Sequence, residues 1–480
     1  QQTKRQKLSI PKYQRALKSK ANLYVTEGDS AMAMALSGFS VIGRDSNGVF
    51  PLRGKLLNVY GMKAKSALEH KEIMHLTQIL GLEPNKQYDE TNVKSLPYRH
   101  IIIFTDQDTD GSHIMGLVLT YLREFFPSLF KLWPDFVKRF ATHIVKAKIG
   151  TESRSFFSLQ EYKKWVGDRT PNHVKYYKGL GTSTDEEARE YFRNIDQHLT
   201  EIEYTGDNSE EAIKTFYAPD KANKRKEILQ SIDAESCVDY MLPKTTMEEF
   251  CYNELIHHCA ADNERSIANG IDGLKPSQRK ILHTARQRKN GEVKVASLAA
   301  NTTDLTAYHH GEQSLVSAIM SMAQKHVGTN NIAYLKPNGQ FGSRLTKRDE
   351  GLAQPRYVFT EISDIAKKMF RAEDDAVLSY AEDDGKQIEP TYFVPVISNV
   401  LVNGCEGIGT GYKTSIPNFN PLDIIDQTVS YILHADKALE ELVPYYMGFK
   451  GRVEKEGDFY IFSGLYEIKD HILTITELPP

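Results

Sequence analysis

The stretch Phe104-Thr-Asp-Gln-Asp-Thr-Asp-Gly-Ser-His113, "FTDQDTDGSH", sets Asp106, Asp108 and Asp110 at alternate positions directly behind the apolar run "HIIIF". A short apolar run of this kind reads as a buried strand, so the three carboxylates stand at a strand's C-terminal end. Three readings compete for them. An EF-hand loop opens D-x-D-x-D-G, and Asp106, Asp108, Asp110 and Gly111 fit its positions 1, 3, 5 and 6, but the bidentate Glu of position 12 is here Leu117. A strand rather than an entering helix precedes the loop, which removes calcium. A phosphatase or phosphotransferase with an Asp nucleophile also carries D-x-D after a strand. The third reading is a solvated acidic turn, with Gly111 supplying a positive φ.

Working outward, "NLYVT" followed by "DSAMAMALSG" repeats the pattern of "HIIIF" followed by "SHIMGLVLTYLREFF". Strand alternating with helix predicts βα units around a parallel sheet, which gathers ligands at the strand C-termini. "TEGDSA" lies at one such end, where Glu27 opens the turn and Asp29 or Ser30 caps the next helix. If the sheet sets Glu27 beside Asp106 and Asp108, the cluster has the charge and the hard oxygen ligands for one or two Mg²⁺ ions near a phosphate. Otherwise Glu27 is only part of a good helix start.

Composition narrows the class. The 480 residues are 40% hydrophobic and 26% charged, enough for two to four domains. No run of about 18 apolar residues appears, and the basic N-terminus lacks a signal peptide's apolar core, so neither membrane insertion nor secretion is expected. The 4 cysteines form no C-x-x-C pair, which argues against a disulfide framework or zinc site and for a reducing compartment. A net charge of −3 taken alone argues against nucleic acid. Basic clusters at Lys275 to Lys280, Arg286 to Lys289 and Arg344 to Arg348 nevertheless permit local basic surfaces.

Further along, "NGCEGIGTGYKTS" is not a phosphate-binding P-loop, because Tyr412 interrupts Gly-Lys-Ser/Thr; it reads as a tight glycine turn with Ile408 at its tip. "AYHHGEQS" offers His309, His310 and Glu312, a poor zinc pattern without an i, i+4 His pair but one able to donate to phosphate. In "AQPRYVF", Arg356 beside Tyr357 suits a phenolate attacking phosphorus, although a half-buried tyrosine fits the same residues.

Nine motifs in one order, "TEGDSA", "GVFPLRGKLLNV", "TDQDTDGSHI", "VKYYKGLGTS", "DNERSIANGIDGLKPSQRK", "YHHGEQSL", "GQFGSR", "QPRYVFT" and "NGCEGIGTG", resemble the breakage and rejoining core of eukaryotic-type type IIA DNA topoisomerases. The resemblance implies a multidomain α/β and α+β chain: after a basic segment (1–21), a Toprim domain with a Rossmann-like parallel sheet (22–200), then a winged-helix domain (247–371) and a tower domain (372–480). The charged, helix-prone stretch with little apolar content between the Toprim and winged-helix domains reads as a connector (201–246). Tyr357 matches the nucleophile that forms a 5′-phosphotyrosyl link, and Arg356, Arg265 and His310 match groups on the scissile phosphate. Glu27, Asp106, Asp108 and Asp110 match the Mg²⁺ cluster, where Mn²⁺ or Ca²⁺ substitutes. Lys275, Arg279, Lys280, His309 and Gln340 are expected on DNA, and Ile408 matches a wedge that enters a base step.

In this family the tyrosine of one subunit works with the acids of the other, so a homodimer on double-stranded DNA is expected. The resemblance also implies that the ATPase and most of the C-terminal gate lie outside this sequence, leaving ATP to the full-length enzyme. Ser266-Ile267-Ala268 and Cys405 are small departures from the family pattern. The nucleus is the expected compartment for a cellular enzyme, and a cytoplasmic replication site or the virion for one from a large DNA virus. A Toprim-type nuclease or phosphohydrolase, which uses water and needs only the acids, is the alternative.

Overall fold

Residues 9–288, 291–346, 351–383, 386–434 and 438–480 are described by the computed structural model. Lys289 and Arg348, which close two of the basic clusters, and the first eight residues of the basic segment lie outside them. The chain divides into two units, Gln1–Ala261 and Asp262–Pro480.

In the first unit, β1 (Ala21–Glu27) leads into α1 (Gly28–Ile42) and β2 (Asn47–Leu52), and β3 (Tyr98–Phe104) leads into the helix Thr109–Phe125 and β4 (Val137–Phe140). These four strands are parallel in the order β2-β1-β3-β4. Alternate residues feed opposite cores. Leu23, Val25, Ile101 and Ile103 pack with the helix Thr109–Phe125 on one face, and Tyr24, Ile102 and Phe104 pack with Phe39 and Phe192 on the other. Burial on both faces is why "HIIIF" shows no polar alternation. Because β2 lies on one side of β1 and β3 on the other, the chain leaves β1 and β3 in opposite directions. That opens a crevice at their C-terminal ends, the usual ligand position in such sheets.

The stretch expected to be a connector belongs to this unit. Leu199–Glu203 runs antiparallel to β4 and Lys244–Thr246 parallel to Leu199–Glu203, extending the sheet. The helix Asp207–Tyr217 buries Ala212, Ile213, Phe216 and Tyr217. The boundary expected at 246/247 is likewise displaced: Met247, Phe250, Cys251, Leu255 and Ile256 complete the first core.

The second unit carries the winged-helix arrangement. Helices Pro276–Gln287, Val295–Thr306 and Glu312–Ala323 surround a core closed by the short antiparallel pair Val293–Lys294 and Phe359–Thr360. No break falls at 371/372, since Phe370 packs on Phe393 at 5.6 Å and Val402 and Ile424 join the same core. Beyond it come the antiparallel hairpin Cys405–Ile408 with Lys413–Ile416, the helix Pro421–Leu433 and two more hairpins between Arg452 and Glu477.

Candidate functional site

Two groups of site residues emerge, one in each unit. In the first, the β1–β3 register sets Thr26 against Phe104, so Glu27 and the Asp106 turn leave the sheet side by side. Each Asp has a fixed role. Asp108 caps the helix Thr109–Phe125, accepting from the Gly111 N–H at 2.7 Å. Asp106 accepts from the Leu180 N–H at 2.7 Å. Asp110 pairs with Lys55 at 2.9 Å and lies 3.3 Å from His258 Nδ1, whose ring stacks on His113 at 4.1 Å.

The turn is packed too tightly for side chains at two positions. A Cβ on Gly111 would lie 2.1 Å from Asp106 O, and one on Gly179 would lie 2.9 Å from Asp106 Oδ2. Gly179 also holds φ +136°, which disfavours L side chains. "KGLGTS" thus acts as a backbone clamp on Asp106, and "GVFPLRGKLLNV" supplies Lys55 to Asp110. Neither role was visible in sequence, because no spacing rule links residue 55 to 110 or residue 179 to 106.

Electrostatics shows what the cluster lacks. Burial, then Asp106 and Asp108, push the Glu27 carboxyl up to about 7, and its Oε2 is buried without a hydrogen-bond partner. Burial also raises Asp106, against the opposing Leu180 N–H. Crowded carboxylates and an unpartnered buried oxygen fit a divalent cation, which relieves both. Among the described residues, no three His, Cys, Asp or Glu are disposed to enclose a metal by themselves.

In the second unit, Tyr357 is 67% exposed and the Arg356 guanidinium lies 4.8 Å from its ring centre. Its turn is fixed by the backbone: Tyr357 N–H donates to Gln354 O at 2.9 Å, and Val295 N–H and Ala296 N–H donate to Val358 O and Pro355 O. Gln340 is exposed on the strip opposite, where its carbonyl accepts from Ala353 N–H. Arg265 acts electrostatically on Tyr308, whose ring meets His310 edge-on at 5.4 Å. His309 pairs with Asp383 at 2.9 Å.

Ile408 is 71% exposed at the end of its hairpin. The hairpin sits hard against the end of the helix Ile256–Ser266, because Asn263 Nδ2 donates to Thr410 O at 3.0 Å and a Cβ on Gly407 would lie 2.1 Å from Ser266 O. Ile408 and Arg265 are therefore carried on one local assembly.

Two expected DNA contacts require correction. Arg279 is buried, its Nε 2.6 Å from Asp272 Oδ2 and its Nη2 donating to Asp272 Oδ1 and Leu274 O. Lys280 donates to Thr306 O at 2.7 Å and pairs with Glu389. Both cations are spent inside the fold, whereas Lys275 stands half-buried at the helix start.

Comparison with protein families matches residues 22–132 to the Toprim domain, 140–263 to the C-terminal associated domain of TOPRIM and 265–480 to the DNA gyrase/topoisomerase IV family. The last two meet beside the 261/262 division. "DNA topoisomerase 2, mitochondrial" of Dictyostelium discoideum is 44% identical over 98% of this chain and 37% of its own length. The chain belongs to the type II DNA topoisomerases. The "DNA topoisomerase 2" of Arabidopsis thaliana is 46% identical over 95% of this chain and 32% of its own length, so the chain spans about a third of these topoisomerases. The solved Plasmodium falciparum topoisomerase II DNA-binding, cleavage and re-ligation domain superposes with a TM-score of 0.80 at 42% identity, covering 99% of this chain and 66% of that one.

Proposed function

We propose that this chain is the core of a DNA topoisomerase II: it breaks double-stranded DNA reversibly by transesterification to Tyr357, with Mg²⁺ at the acids. The observation that carries this reading is that the chain holds both an exposed, backbone-fixed Tyr357 beside Arg356 and a crowded carboxylate cluster in which Glu27 Oε2 is buried without a hydrogen-bond partner. Tyr357 Oη attacks phosphorus and the P–O3′ bond breaks. One phosphoester replaces another, so the 3′-hydroxyl reverses the step by attacking the phosphotyrosine. A phenol ordinarily titrates near pH 10, so Arg356, Arg265 and His310 assist by stabilising the phenolate and the charge on phosphorus.

Glu27, Asp106, Asp108 and Asp110 would hold the metal, which would supply charge stabilisation for the leaving 3′-oxygen. Lys275, His309 and Gln340 grip the duplex, and Ile408 enters a base step and bends it. The working form is a homodimer in which each tyrosine serves the partner's acids, forming the DNA gate for ATP-driven strand passage in the full-length enzyme. Mn²⁺ or Ca²⁺ substitutes for Mg²⁺, and the enzyme works on nuclear DNA. Among the described residues no helix is long and apolar enough to cross a membrane.

The test is incubation with plasmid and Mg²⁺ followed by denaturant. Protein attached to 5′ ends is expected, and Tyr357→Phe abolishes it while DNA binding persists. Cleaved DNA with free ends, unaffected by Tyr357→Phe, would transfer the activity to a water-using Toprim nuclease. Binding should weaken steeply with salt and discriminate little among sequences.

A further inference from the structure

Arg139 on β4 has no solvent exposure, yet lies beneath the acid turn. Its Nη2 is 3.4 Å from Asp106 O and 3.3 Å from Gln107 Oε1, its Nη1 is 3.5 Å from Glu254 Oε1 and 3.9 Å from Met115 Sδ, and its Nε has no partner. A guanidinium offers five short, directional donors, so contacts this long leave it poorly satisfied as a hydrogen-bonding group. What compensates it is charge. Tyr240 and Glu254 act on it most strongly, and Asp108 and Glu27 add to them. Glu254 is aimed inward by the π-helical turn Cys251–Leu255 and accepts from the Ser112 and Tyr240 hydroxyls.

We propose that Arg139 is a positioning residue: an internal cation that holds the Asp106–Asp110 turn in its metal-accepting shape before any metal arrives. This rests on reading the acids as the metal site. Glu27, Asp106 and Asp108 repel one another, and a turn bearing them would splay. Arg139 opposes this through the Asp106 carbonyl, the Gln107 carboxamide and its own charge. With no exposed surface, it acts only through these neighbours.

Two measurements on the full chain test the assignment: Mn²⁺ binding by electron paramagnetic resonance, and hydrogen exchange of amides 105–112 without metal. The variants are Arg139→Met and the double variant Arg139→Met with Glu254→Gln. The second removes the carboxylate that the first leaves unpaired, which protects the fold. Both should bind Mn²⁺ about tenfold more weakly, the scale of losing a group that orients metal ligands, and exchange amides 105–112 faster. Wild-type affinity and exchange in the double variant, or tighter binding in either, would overturn the proposal. If the wild-type chain binds no Mn²⁺ that Asp108→Asn abolishes, the metal reading fails, and the exchange rates still decide whether Arg139 holds the turn.

Discussion

The acid turn and the tyrosine turn are built in opposite ways. Around Asp106 the supports are tightly packed or committed: Gly111 and Gly179 leave no room for a Cβ, the Leu180 N–H and Lys55 are engaged, and Arg139 is sealed below. Around Tyr357 the backbone is pinned but the side chain is exposed, as is Ile408. The difference follows from what each part must meet. Mutually repelling carboxylates keep their spacing only if the fold imposes it, whereas on the proposed reading Tyr357 is a nucleophile that must reach a wide duplex and so has to project from its support.

Substitutions that exchange these styles should have the clearest effects. The largest is expected beneath the tyrosine unit, where Arg279→Ala strands the buried Asp272. A loss of about 3–5 kcal/mol is the usual result of breaking such a pair, and chemical denaturation checks it. Arg279→Ala that melts normally and only weakens DNA binding would restore Arg279 to the DNA surface. Next, Gly179→Ala pushes on Asp106 Oδ2 at a backbone angle that L residues avoid. Covalent-adduct yield should fall about tenfold or more at fixed metal, the penalty typical of disturbing a ligand's support, while DNA affinity is retained. An unchanged yield at low metal would show that the clamp is dispensable.

A smaller effect separates the two regions by pH. Glu27 titrates near 7 in the fold against 4.5 ordinarily, so the folded, metal-free chain keeps a proton that the unfolded chain releases. Its contribution to stability is full below about pH 4.5 and is lost as pH rises through about 7. Melting of metal-free protein at pH 5 and pH 8 should show a larger drop for wild type than for Glu27→Gln, and equal drops would contradict the shift. The mildest expectation concerns Ile408→Ala. It should reduce DNA bending, read by energy transfer between labelled duplex ends, with little change in affinity; unchanged bending would remove the wedge role.

Much of the first region was legible because strand burial writes itself as apolar runs. "NLYVT" and "HIIIF" placed Glu27 and the three aspartates at strand C-terminal ends, and the sheet makes those two strands neighbours. Tyr357, Arg356 and Ile408 were singled out by their motifs rather than by any periodicity, and Tyr357 and Ile408 stand exposed. What failed did so for physical reasons. Residues 201–246 looked like a connector because the helix Asp207–Tyr217 wears a charged outer face, and the strand Lys244–Thr246 is too short to alternate. Arg279 looked like a DNA contact because its charge outweighed its place three residues before buried Leu282, on the inward face of the helix. Arg139 gave no signal at all, since a charged residue on a short strand ordinarily points to water.

The hairpin that carries Ile408 has a mechanical consequence. Gly407 presses on Ser266 O and Asn263 ties down Thr410, so Ile408 and Arg265 share one mount. On the proposed reading, force applied at the wedge is transmitted to the grip on phosphate rather than absorbed by a loose loop. DNA too stiff to yield then also sits poorly for attack, and flexibility of the duplex becomes a criterion of where it is cut.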